Sequence, residues 1–413
     1  MPVGDRDVLK PLMRLSLILA LTIAVATLTA SASPSLTVGG AQLLYSDAQM
    51  PFTMDGSFAT LKRDATTQFY WHTYGPTTYK YFGPITNPLQ TLAPGWPKDI
   101  SQMWNANGFA GNLWLVNLYK ISGTTLLGFV HREGAGVGAP FAVGLGYSTN
   151  NGETWRYLGD ILSPIDTNTN MTGVPYLIVG PYMYVYYNET NLGNSHQISV
   201  ARAPLSEVLT AASSGTVSTW VKYSGDGLFN TNAFTGRGAN IIGATQWFNG
   251  VGIVHTDAAH STPLNKYMLL VSSESHGQLI LYLSDDGVNW PGTDAVLIDQ
   301  NTQPVTGASC CMNQQYAAFV SQDPNASDDS LEVGADFWVI YPYKDWPNNY
   351  DYDELYRRHV TVGSPSAPTA PGSLQLSSLR RRHGSASPYG TRRGSDVPDR
   401  GLREASELWH RGG

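Results

Sequence analysis

An imidazole and a carboxylate, His255 and Asp257, stand two residues apart in the largely apolar segment GVGIVHTDAAH. Read as a strand, the segment puts both on one face, because side chains alternate along a strand. Histidine changes charge near neutral pH and a carboxylate well below it, so such a pair suits proton transfer. Asp55 is isolated in a second apolar stretch, PFTMDGSFATL, between Met54 and Gly56. It either faces a site where a strand begins or caps a turn before the glycine. Asp166 in SPIDTNTNM and Asp160 in RYLGDIL are further carboxylates, the first crowded by Asn168 and Asn170. For each group the plain alternative is a satisfied polar residue in a wall of strands.

The elements that would position these groups repeat. YSTNNGETW (Tyr147–Trp155) and YLSDDGVNW (Tyr282–Trp290) are polar, Gly-centred turns between strand-like segments, each closed by a tryptophan. Asn, Asp and Gly tolerate positive φ and cap their own turns, which is hairpin chemistry. The two tryptophans lie 135 residues apart; Trp220 falls between them, and Trp96 lies 59 before Trp155. A loose period of this kind in an all-β sequence predicts a propeller, with a β-sandwich as the alternative. Divided into residues 33–363, it predicts five four-stranded antiparallel blades. Leu36–Ser46 and Gln68–Gly75 read as early strands of blade one. Blade two runs from Trp104 through TLLGFVHRE to the first turn. Blade three runs from IDTNTNMTGVPYLIV through GPYMYVYYNET to QISVARAPLSEVL. Blade four contains GVGIVHTDAAH and the second turn, and blade five ends in ELYRRHVTV. Leu36–Ser46 is also placed to pair with ELYRRHVTV and close the ring, which would protect both edges. In a propeller the first strand of each blade lines the central channel, so the polar residues near its start would meet at one mouth.

The flanks have a different character. Lys10 and Arg14 precede LSLILALTIAVATLTA, and Ala30-Ser31-Ala32 follows, the pattern of a secretory leader spanning residues 1–32. An uncleaved anchor is the alternative, though the run is short for a span. No later stretch is apolar enough to cross a bilayer, so a secreted protein with no other membrane association is expected. Residues 364–413 open with a Pro/Ser linker and carry eight Arg against four acids, a composition that buries too little apolar surface to fold alone. With the whole chain at −7, the net +4 of this tail leaves about −11 on the rest. So acidic a body argues against nucleic-acid binding, which needs Lys and Arg on phosphates. The only cysteines are the adjacent Cys310 and Cys311. They form either a strained vicinal disulfide or two reduced buried thiols, and make no metal site by themselves. Asn170, Asn188 and Asn325 head glycosylation triplets.

MDGSF followed by YWHTYG, VARAPLSEVL after an aromatic strand, S-D-D-G-x-x-W and the closing ELYRRHVTV, taken in order, resemble the five-bladed β-propeller glycoside hydrolases. The arabinanase and xylosidase-like family 43 group and its relatives are the nearest. The resemblance covers about residues 40–362. It implies a carbohydrate substrate and hydrolysis between two carboxyl groups, one protonating the leaving oxygen and one activating water. It places Asp55 as general base and Asp166 as the carboxylate that tunes and orients. The general acid expected in blade four has no Glu to fill it, which leaves Asp257 or His255. Trp71, Trp104 and Tyr74 become candidate platforms for sugar rings, or else blade core. His72, Asn107, Arg237 and Gln314 become candidate partners for hydroxyls, and His131 belongs either to an inner or to a second strand. No cofactor is implied. A channel cation such as calcium is compatible with the resemblance, although nothing has the spacing of a calcium loop. A monomer is expected. The missing Glu favours a silent sugar-binding propeller as runner-up. The YSTNNGETW turn also fits the sialidase Asp-box, but a sialidase wants an arginine triad and Arg237 stands nearly alone.

Overall fold

The computed structural model describes residues 35–363 except 106–110, 135–140, 166–168, 192–196, 248–251, 274–276, 301–313, 325 and 344–353. The expected leader, the tail, Asn107, Asp166, Asn325 and the cysteine pair lie outside the described residues. The described chain is an all-β propeller of five sheets.

Blade one is built from Ala59–Lys62, Gln68–Tyr74 and Thr77–Gly83, innermost strand first, with two short strands at its outer edge. Blade two runs outward through Gly111–Ser122, Thr125–Gly134, Ala142–Ser148 and Trp155–Leu162. Blade three has an innermost strand in two pieces, Thr169–Thr172 and Tyr176–Val179, then Tyr182–Asn191, Gln197–Pro204 and the outer hairpin Val221–Asn232. Blade four also breaks its innermost strand, into Gly252–Ile253 and Ala258–Ser261, followed by Lys266–Ser273, Gln278–Ser284 and Val296–Gln300. Blade five runs Ala318–Val320, Asp336–Tyr343 and Glu354–Gly363.

Strand count is therefore mixed, not uniformly four, and pairing is not wholly antiparallel. Trp104–Asn105 adds in parallel to the edge of blade two, and Glu332–Val333 to His260–Ser261 of blade four. The strand Ser35–Val38 pairs antiparallel with Val360–Gly363, and Gln42–Tyr45 with Leu355–Arg357. Leu36–Ser46 thus belongs to blade five and not to blade one, and the ring is closed by both ends of the described chain. One segment changes class. Gln197–Pro204 is a strand, but Leu205–Ser214 is a helix, ended by Gly215 at φ +81. Val208 and Ala212 are its buried residues while Thr210 between them is exposed, a pattern that suits a helical face, because a strand would bury Thr210 with them.

The tryptophan period marks buried places. Trp155 and Trp220 stand at or beside the start of a blade's outer strand, Trp290 precedes that of blade four by six residues and bridges to Ile242, and all three are buried. Behind each polar turn a serine organises the backbone. Ser148 Oγ accepts from the Gly152 N–H at 3.0 Å, and Ser284 Oγ from the Gly287 N–H at 2.9 Å. Trp155 and Trp104 lie flat on their sheet, and this requires glycine beneath them. A Cβ at Gly128 would come within 2.7 Å of Trp155, and one at Gly146 within 2.6 Å of Trp104. Asn188 is fully buried and hydrogen-bonded through both amide atoms to blade four, so its glycosylation triplet is a coincidence of sequence.

Removing a wedge residue should therefore be costly. Trp155→Ala is expected to lower unfolding free energy by about 3–5 kcal/mol, as for other large-to-small core changes. Leu228→Ala, at a residue 54% exposed on blade three, should stay within about 0.5 kcal/mol of the parent. Urea unfolding followed by tryptophan fluorescence and circular dichroism measures both; equal effects would remove the wedge role from Trp155.

Candidate active site

Four blades bring polar residues to the end of the ring at which the innermost strands begin. Asp55 lies in the loop before Ala59–Lys62, Asn112 opens Gly111–Ser122, His255 precedes Ala258–Ser261, and Tyr316 precedes Ala318–Val320. His131 and Glu133 end Thr125–Gly134, opposite Trp114 and Asn112, and so reach the same mouth. Contacts join them across blades. The Tyr316 hydroxyl donates to Asp55 Oδ1 at 2.9 Å. The His131 ring meets His255 edge-on at 5.0 Å between centroids, and His255 meets Tyr316 at 5.7 Å.

The two carboxylates of this mouth are displaced in opposite directions. Asp55 is open to water on one side but recessed among protein, and this desolvation raises its pKa. The Tyr316 hydrogen bond opposes the rise, the Glu133 charge adds to it, and His131 works against it. Burial also acts to raise Glu133, but its partners prevail and hold it below the usual carboxylate range. His131 Nε2 lies 3.6 Å from Glu133 Oε1, and the Asn112 amide donates to Oε2 at 3.2 Å. The Trp114 indole N–H approaches Glu133 without reaching hydrogen-bond geometry.

Local structure holds Asp55 in place. Phe52, Met54 and Phe58 are buried around it, and Ser57 Oγ donates to the Val116 carbonyl of blade two at 3.0 Å. His72 lies beneath the loop, stacked on Phe52 at 4.6 Å, with Nε2 3.4 Å from the Asp55 N–H. Tyr316 has φ +53, in the left-handed region, where a bulky residue is uncommon and strain of about 1–3 kcal/mol is typical.

The other residues singled out in the sequence fall elsewhere. The chain between Gly252–Ile253 and Ala258–Ser261 is not a strand, so alternation does not apply to His255 and Asp257. His255 turns to the mouth, whereas Asp257 is buried and accepts from the backbone N–H groups of Ala258 at 2.8 Å and Phe319 at 3.0 Å. Burial, with the charge of Asp329, pushes Asp257 up to about 7. Asp257 ties blade four to blade five. Asp160 accepts from Arg132 at 2.7 Å within blade two. Trp71 and Trp104 belong to the core between blades one and two, while Tyr74 is 45% exposed on blade one. Arg237 lies near the buried Lys222–Glu189 pair of blade three. Gln314 is buried and donates to Asp299 at 3.0 Å. Among the described residues no group of three or more His, Cys, Asp or Glu is arranged to hold a metal ion.

Glu133 and Tyr316 were not singled out from the sequence. For Glu133 a signal was present, since His131 and Glu133 are two apart at the end of the strand TLLGFVHREG and so share a face. Tyr316 had none, because its conformation is set by its neighbours.

No family model matches the chain, and neither does any curated protein sequence. Solved structures do. An α-L-arabinofuranosidase from Podospora anserina in complex with cellotriose matches at 10% identity and TM-score 0.48, over 80% of this chain and 98% of that one. An endo-arabinase from Bacteroides thetaiotaomicron matches at 9% and 0.43, over 78% and 97%. A thermostable family-43 glycoside hydrolase matches at 11% and 0.44, over 79% and 98%. Likenesses this loose say nothing about chemistry, which rests on the side chains.

The buried His72 yields a pH prediction. Desolvation lowers its pKa from 6.5 to about 3, so between these values the unfolded chain binds the extra proton. Its contribution is complete above the unfolded pKa and is lost as pH falls. Between pH 7 and pH 5 that loss amounts to about 2 kcal/mol. His72→Gln should flatten this part of the curve, measured by urea unfolding across pH; an unchanged slope would mean that His72 is protonated in the fold.

Proposed function

We propose that the protein is a glycoside hydrolase whose acid and base are Asp55 and Glu133. The observation that carries this reading is two carboxylates at one mouth held in opposite senses, Asp55 displaced toward its protonated form and Glu133 toward its ionised form, as an acid and a base require. The resemblance of the sequence to five-bladed glycoside hydrolases supports carbohydrate as substrate. The role expected for Asp55 is exchanged. Its raised pKa suits it to carry a proton, which passes to the glycosidic oxygen as the C–O bond breaks. Glu133, kept ionised by His131 and Asn112, takes a proton from the water that attacks the sugar carbon. Asp166 is left outside this pair. The leader-like run supports action outside the cell, and the channel groups of this reading need no cofactor.

Activity should then need Glu133 ionised and Asp55 protonated, with limbs set by the lowered pKa of the first and the raised pKa of the second. It should fall as pH rises through the latter, because Asp55 must be protonated to act. A panel of aryl glycosides and polysaccharides identifies a substrate, and leaving-group dependence separates the roles. Asp55→Asn should cost about 10²–10⁴ in rate on substrates with poor leaving groups and far less on dinitrophenyl glycosides, which leave without protonation. Glu133→Gln should be impaired on both. Full turnover in a folded Glu133→Gln protein would overturn the assignment. Sugar binding without turnover in the parent would instead make this a binding propeller.

A further inference from the structure

Tyr316 belongs to blade five, yet its hydroxyl reaches across the blade boundary to a carboxyl oxygen of blade one. The residue is 8% exposed, and its ring lies in the apolar cluster that includes Phe52, Met54 and Phe58, the residues that carry the Asp55 loop. The edge-on contact with His255 fixes the ring from a third blade. A backbone at φ +53 suits Asn or Gly better than a bulky side chain, so holding Tyr316 there works against local preference. The conformation sends the ring towards Asp55.

We propose that Tyr316 is a positioning residue for the acid: by donating to Asp55 Oδ1 it leaves Oδ2 as the oxygen that carries and delivers the proton. The proposal rests on the assignment of Asp55 as the acid. An oxygen that accepts the phenol hydrogen is not itself the protonated oxygen, because a carboxylic acid has one O–H donor and its other oxygen accepts. When the proton leaves, the same hydrogen bond stabilises the new carboxylate, so no rearrangement of the donor is required during the reaction. Asp55 alone, in a loop before a strand, would have free rotation of its carboxyl plane.

The test is Tyr316→Phe, which keeps the ring and removes only the donor. Two readouts are needed. The Asp55 pKa, followed by carboxyl-carbon NMR titration, should rise by about one unit, the size of a lost hydrogen bond to a charged group. On the best substrate of the panel, kcat should fall about tenfold with KM little changed, and the alkaline limb of the rate profile should move up with the titration. An unmoved Asp55 titration in a folded variant overturns the proposal whether or not the protein is a hydrolase. If the titration rises but it is the acidic limb that follows, the hydrogen bond stands while Asp55 is the base, and the acid assignment falls. Should the phenylalanine variant not fold, 3-fluorotyrosine at position 316 supplies a stronger donor in the same place. Titration and limb should then move to lower pH; movement upward, or none, would refute the role.

Discussion

The ring depends on a belt of polar cross-links where the blades' inner strands converge. Strands that meet at an axis turn backbone groups and polar side chains toward one another, and each buried group needs a partner. Here the partners come from other blades. Ser57 of blade one bonds the Val116 carbonyl of blade two. Asn117 of blade two donates to Val174 of blade three and to Thr256 of blade four, at 3.0 and 3.3 Å. Asn188 of blade three clamps Gly252 and Val254 of blade four. Asp257 of blade four holds the Phe319 N–H of blade five, and Gln68 of blade one donates to Ser321 of blade five at 3.2 Å. Apolar wedges supply much of the burial, but they are tolerant of sliding. The polar belt sets register, because a displaced amide or carboxylate would be left buried and unsatisfied, at about 1–3 kcal/mol for each group.

The candidate site inherits its geometry from this belt. Asn188 fixes the segment immediately before His255, and Asp257 the segment immediately after it. His255 is thereby held between His131 and Tyr316 although no strand runs through it. The same reasoning explains why Asp257 is a poor candidate for chemistry. Both of its oxygens are engaged with backbone, and the belt needs it where it is.

Much of the architecture was legible in residue types. Tryptophans at similar intervals, two of them closing Gly-centred polar turns, record buried positions that recur from blade to blade. The closing pair of strands could be anticipated because both lie near the ends of the apolar pattern. The site was legible only in part. Asp55 and His255 stand out as polar residues in apolar surroundings, which is a local property. Trp71, Trp104, His72 and Gln314 have the same residue types that bind sugars, and only packing between blades shows them to be buried. Asn188 likewise looks like a surface acceptor until blade four is present. Glu133 was hidden by a prior about place, since it sits on a second strand and at its end, not at the start of an inner one.

That difference of place accounts for the opposite displacements of the two groups. Glu133 ends a regular strand, so alternation gives it His131 two residues back on the same face, and pairing gives it Asn112 opposite. The Asn112 donor and the nearby His131 imidazole, both delivered by secondary structure, together with the nearby Trp114 indole, outweigh its desolvation. Asp55 has no strand to supply neighbours. Its loop is lined by Phe52, Met54 and Phe58, and its one described side-chain donor must come from blade five through a strained tyrosine. Desolvation then prevails there. The proposed acid and base thus arise from similar carboxyl groups because one is placed by a sheet and the other by the seam between blades five and one.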